Sequence, residues 1–208
     1  VNTIREAAPP KIHLLSGFLG SGKTTAIHQA CRLLAKQNIP AAVITNDQGS
    51  RLVDGDLFTH LGVPSGQVTN GCFCCHYDDL DAAIHYLLKH DTPSVIFAES
   101  VGSCTDLVAT VLKPLLQRHP EWRTTATTFA DAQLITDGAV NFDETVGYIF
   151  NKQLEEAKVI VVSKIDLLET ATQLQARLQS RFPDKTILYQ DSFNEEHIAR
   201  WLQTLDTV

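Results

Sequence analysis

Short apolar runs alternate along the chain with segments that repeat at helical spacing. Ile12 to Ser16, Pro40 to Thr45, Ser94 to Glu99 and Lys158 to Val162 carry almost no polar alternation, as expected of strands buried on both faces of a parallel sheet. Weaker strand signals lie at Thr125 to Ala130 and Thr186 to Tyr189. Between them, Ala26, Ile27, Ala30, Leu33 and Leu34 recur on one helical face, as do Leu80, Ala83, Ile84, Leu87 and Leu88. Asn38 and Pro40 end the first helix. Further helices are expected over Thr105 to Gln117, in a segment ending near Glu156, after Asp166, and over Glu195 to Leu205. From Gly49 to Gly71 five glycines interrupt a polar stretch that is too long for a simple connection, which marks it as a functional or mobile loop.

This alternation predicts an α/β fold, a doubly wound and mainly parallel sheet with helices on both faces. Ligands of such sheets bind beyond the carboxyl ends of the strands. Residues 17–24, 46–49, 99–102 and 163–166 all fall at such ends.

With 208 residues, 44% of them hydrophobic, the chain suits one well-buried domain, taken as 11–208 after a loose lead-in at 1–10. A formal net charge of -7 argues against a nucleic-acid surface but not against a small anion held locally. No apolar run approaches the roughly 20 residues of a membrane span and no secretory leader is visible, so a cytoplasmic protein is expected. Methionine is absent, so Val1 is not expected to be the encoded start.

Gly17-Phe18-Leu19-Gly20-Ser21-Gly22-Lys23-Thr24 satisfies GxxxxGK[ST] between a strand and a helix. The chemistry asks for these residues at this spacing. Gly17, Gly20, Ser21 and Gly22 let backbone N–H groups wrap phosphates, Lys23 reaches the outer phosphates, the Thr24 hydroxyl binds Mg²⁺, and Thr25 continues the helix whose N-terminus attracts the anion. A P-loop NTPase is the implied fold. Glu99, closing an apolar strand, is placed like the acidic residue that holds Mg²⁺ or orients water, and Gly102 just beyond can offer a backbone N–H to a γ-phosphate. Asp47 is either a phosphate-sensing switch residue or an ordinary turn residue.

Ser163-Lys164-Ile165-Asp166 is similar to the guanine-reading [NT]KxD element: the Asp166 carboxylate would accept two hydrogen bonds from the base, and the Lys164 stem would cover its face. Ser163 stands where Asn is usual, which weakens one contact and leaves an ATPase or kinase as an alternative.

Cys72, Cys74 and Cys75 form a second centre. Three thiols within four positions cannot all pair, but they supply three soft ligands to a tetrahedral ion, Zn²⁺ first and Co²⁺ or Ni²⁺ next. His76, Asp78 and Asp79 follow. Cys31 and Cys104 read as packing residues, and the remaining histidines are scattered without ligand spacing.

Taken together, Gly17 to Thr25, Asn46-Asp47-Gln48-Gly49, Asn70-Gly71-Cys72-Phe73-Cys74-Cys75, Glu99-Ser100-Val101-Gly102 and Ser163 to Asp166 resemble the CobW-like metallochaperone GTPases, relatives of the GTPases that help insert nickel into hydrogenase and urease. The resemblance implies GTP hydrolysis coupled to transition-metal handling, with Cys72, Cys74 and Cys75 as metal ligands, Thr24 and Glu99 near Mg²⁺, a metal-dependent client protein as partner, and a homodimer as an option. Family members often carry a C-terminal domain and sometimes a His-rich stretch, and neither is expected within these 208 residues. Val101 stands where Ser or Thr is usual. A short paralogue, an isolated GTPase domain, or a zinc buffer or sensor with little turnover fit the same motifs.

Overall fold

A computed structural model describes residues 9–47, 58–136, 144–168 and 172–207. Seven parallel strands form one sheet in the order β3-β2-β4-β1-β5-β6-β7. They are β1 (Lys11–Ser16), β2 (Ala41–Asp47), β3 (Ser65–Thr69), β4 (Val95–Glu99), β5 (Arg123–Asp131), β6 (Val159–Ser163) and β7 (Thr186–Gln190). The helices are α1 (Lys23–Lys36), α2 (Tyr77–His90), a π-turn (Val108–Leu112) running into α3 (Lys113–Arg118), α4 (Ala132–Thr136), α5 (Glu144–Glu156), α6 (Thr172–Arg181) and α7 (Glu195–Thr207).

Pleat alternation divides the apolar strand residues between two faces. Leu15, Val43, Phe97, Phe129 and Val161 pack under α1 and α7 against Ile27, Leu34 and Trp201. Ile12, Leu14, Ile44 and Ile96 turn the other way, onto Leu80 and Ile84 of α2 and Val111 and Leu115 of the next helix. Ile160 and Val162 meet Phe150 and Leu154 of α5 and Leu174 and Leu178 of α6. Both faces of the central strands are therefore covered, and the doubly wound expectation holds.

One expectation needs correction. The segment read as an irregular loop from Gly49 to Gly71 contains the edge strand β3, in register with β2 from Val43 opposite Ser65 to Asp47 opposite Thr69. Only Val68 of β3 is fully buried, because an edge strand covered on one side needs no apolar run. Residues 48–57, including Gln48 and Gly49, lie outside the described residues, as do residues 1–8 of the expected lead-in. Register aligns the strand ends that matter. Glu99 sits beside Leu15 on one flank and Thr45 on the other, Thr128 lies opposite Ser16, and Asp131 and Gln190 flank Ser163.

Candidate functional site

At the carboxyl edge of the sheet a cavity of about 820 Å³ opens over the Gly-rich loop, lined by Gly22 to Thr25, Thr45, Asn46, Glu99 and the 100–103 loop. Gly17 (φ 129°) and Gly22 (φ 88°) take conformations that L side chains avoid. A Cβ on Gly17 would also lie 2.2 Å from the Phe129 carbonyl oxygen, so the loop can pass over β5 only as glycine. Gly22 caps α1 without a side-chain hydrogen bond and the first turn holds no acidic residue, which leaves the helix start positive and its N–H groups open to an anion.

Lys23 is nearly buried, and its Nζ donates to the carbonyl oxygens of Gly17 (2.6 Å) and Phe18 (3.1 Å), 3.9 Å from Glu99 Oε1. The Thr24 hydroxyl lies 2.8 and 3.0 Å from the two Glu99 oxygens. Thr45 Oγ1 and Ser21 Oγ are buried with no hydrogen-bond partner among the described residues, and Thr45 lines the cavity. Hard oxygen donors gathered in this way fit Mg²⁺, which binds one or two side-chain oxygens and completes its shell with water and phosphate. Gly102 touches the Gly-rich loop itself: a Cβ there would stand 2.7 Å from the Leu19 amide nitrogen. Asp47 ends β2 at the same edge, and its side chain lies outside the described residues.

Ser163 is fully buried, with its hydroxyl 2.7 Å from the Ser21 carbonyl and 3.2 Å from that of Ala130, so it braces the Gly-rich loop against β5. Lys164 adopts a left-handed backbone (φ 60°) and its Nζ lies 2.6 Å from Asp131 Oδ2. Asp166 is exposed on the short 3-10 turn Ile165–Leu167 at the rim. Asp131 had no motif to announce it; its only sequence signal is an acid closing a buried strand.

The second centre lies across Asn46. Asn46 Nδ2 donates to the carbonyls of Val68 (3.0 Å) and Gly71 (2.6 Å), and Asn46 Oδ1 accepts from the Phe73 amide (3.1 Å). This clamp holds the start of the turn on either side of Cys72, whose carbonyl accepts from the amides of Cys75 and His76. A Cβ on Gly71 would meet the His76 ring at 2.4 Å, so that partly exposed side chain would have to swing aside. The Cys72 sulfur stands 2.7 Å from that of Cys74 and 3.2 Å from that of Cys75. All three sulfurs lie within 4.8 Å of one another, near the about 3.8 Å edge of a tetrahedron with 2.3 Å zinc–sulfur bonds.

Burial pulls the Cys72 thiol up, but hydrogen bonds from Cys74, Cys75 and Cys104 outweigh it and bring it down to about 7. Burial and the neighbouring Cys72 push Cys74 up to about 12. One thiol of the three is thus primed as a thiolate at neutral pH. His76 pairs with Asp79 at 3.0 Å. Cys31 is core as expected, pushed up to about 12 by burial. Cys104 is buried too, in the apolar cluster against which Cys72 and Cys74 pack, and burial pushes its thiol up.

Two of the scattered histidines turn out to share a carboxylate. Asp81 accepts from Arg118 (2.8 Å) and His119 (3.0 Å) and lies 3.7 Å from His85 Nδ1, while His119 stacks on Trp122 at 3.8 Å. Arg118 already balances Asp81, and the cluster ties α2 to the end of α3.

Comparison with known proteins follows this geometry. The family model described as the CobW/HypB/UreG nucleotide-binding domain matches residues 11–188. The zinc chaperone YjiA of Escherichia coli K12 is 29% identical over 191 residues, covering 88% of this chain and 59% of its own. The zinc chaperone CobW of Sinorhizobium sp is 27% identical over 190 residues, covering 76% and 51%. The chain spans little more than half the length of these curated relatives. Among solved structures, HypB from Helicobacter pylori in complex with nickel superposes with a TM-score of 0.69 at 18% identity, covering 95% of this chain and 86% of that one. Zn(II)-bound YjiA GTPase from E. coli gives 0.53 at 20% identity, covering 83% and 55%. These structural likenesses establish the fold.

Proposed function

The chain belongs to the CobW/HypB/UreG nucleotide-binding family, and from that premise we propose that it is a GTP-hydrolysing metallochaperone, loading a transition metal on Cys72, Cys74 and Cys75 and releasing it according to nucleotide state. One observation carries the reading: Asn46 lines the cavity that holds Lys23, Thr24 and Glu99, and the same side chain clamps the loop that presents the cysteines.

In the hydrolytic step, water attacks the γ-phosphorus in line, the bond to the β–γ bridging oxygen breaks, and GDP and inorganic phosphate leave. Lys23 exchanges the carbonyls of Gly17 and Phe18 for phosphate oxygens, and the loop N–H groups with the α1 dipole stabilise the charge that builds there. Thr24 and Glu99 would hold Mg²⁺, which would supply neutralisation of the phosphate charge. Glu99 also orients the attacking water, Gly102 offers its N–H to the γ-phosphate, and Asp47 senses that phosphate. Asp166 and Lys164 read the base, with Ser163 bracing the loop below.

The metal is cargo. Soft thiolates favour Zn²⁺, and Co²⁺ or Ni²⁺ suit the same ligands. The description of two relatives as zinc chaperones supports zinc. A metal-dependent client protein would receive it in the cytoplasm; no described helix is long and apolar enough to cross a membrane.

Phosphate release from Mg²⁺-GTP, measured with and without zinc, tests the reading. Turnover above buffer that falls on the order of 10²-fold or more in Lys23→Ala is expected. Turnover indistinguishable from buffer, with zinc binding intact, would leave a zinc buffer or sensor in its place. Competition in which ATP matches GTP would remove the guanine assignment.

A further inference from the structure

Asp81 and His85 stand one turn apart on α2, so their side chains share a face of that helix, and His119, just past the end of α3, is brought against both. His119 Nε2 lies 3.0 Å from Asp81 Oδ1, and His85 Nδ1 lies 3.7 Å from the same oxygen. One nitrogen from each ring and one carboxylate oxygen all lie within 4.8 Å of one another. Ligand atoms around a tetrahedral zinc ion, with bonds of about 2.0–2.1 Å, are spaced about 3.4 Å apart, a value between those two distances. The cluster contains no sulfur and shares no residue with the turn that carries the cysteines.

Each group is held from behind, as ligating side chains are. Arg118 donates to Asp81 Oδ2 at 2.8 Å, which leaves Oδ1 turned to the imidazoles. His119 stacks on the buried Trp122 ring at 3.8 Å, and its second nitrogen, Nδ1, stands 3.9 Å from Glu121 Oε1. A carboxylate behind the far nitrogen is a common partner of a metal-bound histidine. His85 meets the His119 ring edge-on at 4.8 Å and is half exposed, so an ion can reach the cluster from solvent. Three carboxylates, Asp78, Asp81 and Glu121, accompany one guanidinium, Arg118, which leaves two negative charges for a divalent cation to balance. The ion pair between Arg118 and Asp81 suffices to tie α2 to α3; the convergence of two imidazoles on the remaining oxygen does not follow from it.

We propose that Asp81, His85 and His119 form a second metal site, which takes a divalent transition-metal ion through two imidazole nitrogens and one carboxylate oxygen and is independent of the site read on Cys72, Cys74 and Cys75. Zn²⁺ suits this donor set, with Ni²⁺ and Co²⁺ next. On binding, bonds form to the ion from Asp81 Oδ1, His119 Nε2 and His85 Nδ1, and water completes the shell. In each neutral ring the proton leaves the coordinating nitrogen and is taken up at the other through solvent. His85 thereby gives up its 2.9 Å hydrogen bond to the Asp81 carbonyl, and His119 turns an Nδ1–H toward Glu121. Three protein ligands and a water leave an open position, so the ion is exchangeable. α2 begins at Tyr77, two residues after Cys75, and Asp81 lies about 6 Å further along its axis. The exchangeable ion is therefore held one turn inside the helix that the cysteine turn opens.

Zinc binding to the full chain is measured by competition with a chromophoric chelator, for wild type and for a variant with Cys72, Cys74 and Cys75 all changed to Ser. The triple variant is expected to bind one zinc ion. Adding His85→Gln or Asp81→Asn to it should lower that affinity by at least roughly 10-fold, the scale on which even partners outside the coordination shell act. His85→Gln alters a half-exposed side chain, so its melting temperature should match that of its parent and separate lost ligation from lost packing. Ring nitrogen NMR signals of the wild-type histidines, followed during a zinc titration, give a second reading that does not need the triple variant to fold. Two rings should respond, one missing from the spectrum of His85→Gln and the other from that of His119→Gln. A folded triple variant that binds no zinc, or binding unmoved by both His85→Gln and Asp81→Asn, would overturn the proposal. Signals of His85 and His119 left in place by excess zinc would overturn it as well. Wild type and triple variant binding zinc alike, with loss only on His85→Gln or Asp81→Asn, would remove the thiolate reading and leave this site standing.

Discussion

Asn46 Nδ2 donates to the Gly71 carbonyl oxygen across 2.6 Å, joining the end of β2 to the residue before the first cysteine of the metal turn. The amide is used at both ends, because Oδ1 accepts from the Phe73 N–H while Nδ2 serves Gly71 and Val68. Asn46→Asp keeps the acceptor and loses both donors, setting a carboxylate against two carbonyls. The expected cost is about 1–3 kcal/mol by urea denaturation, with weakened zinc binding, while Lys23 and Thr24 remain in place for nucleotide. Unchanged zinc affinity in this variant would mean that the turn holds its shape without the clamp.

Gly17 and Gly20 make a contrasting pair. Both have positive φ, but a Cβ on Gly17 would collide with the Phe129 carbonyl, whereas one on Gly20 meets nothing within 4 Å. Gly17→Ala is expected to abolish binding of a fluorescent guanine nucleotide and lower the melting temperature. Gly20→Ala should cost only the left-handed backbone term, roughly 1–2 kcal/mol. Equal effects would show that backbone conformation, and not the contact with β5, governs the loop.

Asp166 can be tested by exchanging the base. Guanine presents two N–H donors to a carboxylate, and xanthine replaces the exocyclic amine with a carbonyl. Asp166→Asn places a donor where xanthine has its acceptor, so affinity is expected to pass from GTP toward XTP in competition binding. Parallel loss of both nucleotides would argue that Asp166 stabilises the 3-10 turn instead of reading the base.

His13 ties stability to pH. Burial lowers its pKa to about 4 from 6.5, with Asp206 opposing and Lys11 and Arg123 assisting, and its Nδ1 has no hydrogen-bond partner among the described residues. The unfolded chain takes up a proton that the native state refuses, so the contribution is complete above pH 6.5 and is lost as pH falls toward 4. The loss reaches roughly 3 kcal/mol. Denaturation midpoints at pH 7, 5.5 and 4.5 should converge for wild type and His13→Phe only at the high end. A pH dependence identical in the two proteins would assign it to carboxylates alone.

Much of the fold was legible because buried parallel strands are written locally. β1, β2, β4 and β6 are apolar runs, and their helices carry a one-sided repeat. β3 was not legible, since Ser65-Gly66-Gln67-Val68-Thr69 buries only Val68 and owes its strand conformation to pairing with β2. The site divides in the same way. Lys23, Thr24 and the three clustered cysteines are contiguous motifs whose chemistry follows from spacing. Asp131 and Gln153 are isolated polar residues with no periodic context, and each acts across a gap that only folding closes, as does the side chain of Asn46.

By itself, then, the sequence determined that a phosphate-binding loop follows the first strand, that an acid closes β4, and that three soft ligands sit together, because each of these is a property of neighbours along the chain. Tertiary structure decided what joins them. The order β3-β2-β4-β1 brings the ends of β2 and β4 to the Gly-rich loop, placing Glu99 on Thr24 at 2.8 Å, Gly102 against Leu19, and Asn46 on the turn that carries the cysteines. Strand order is set by which apolar faces the helices can cover, a long-range packing result that no local spacing encodes.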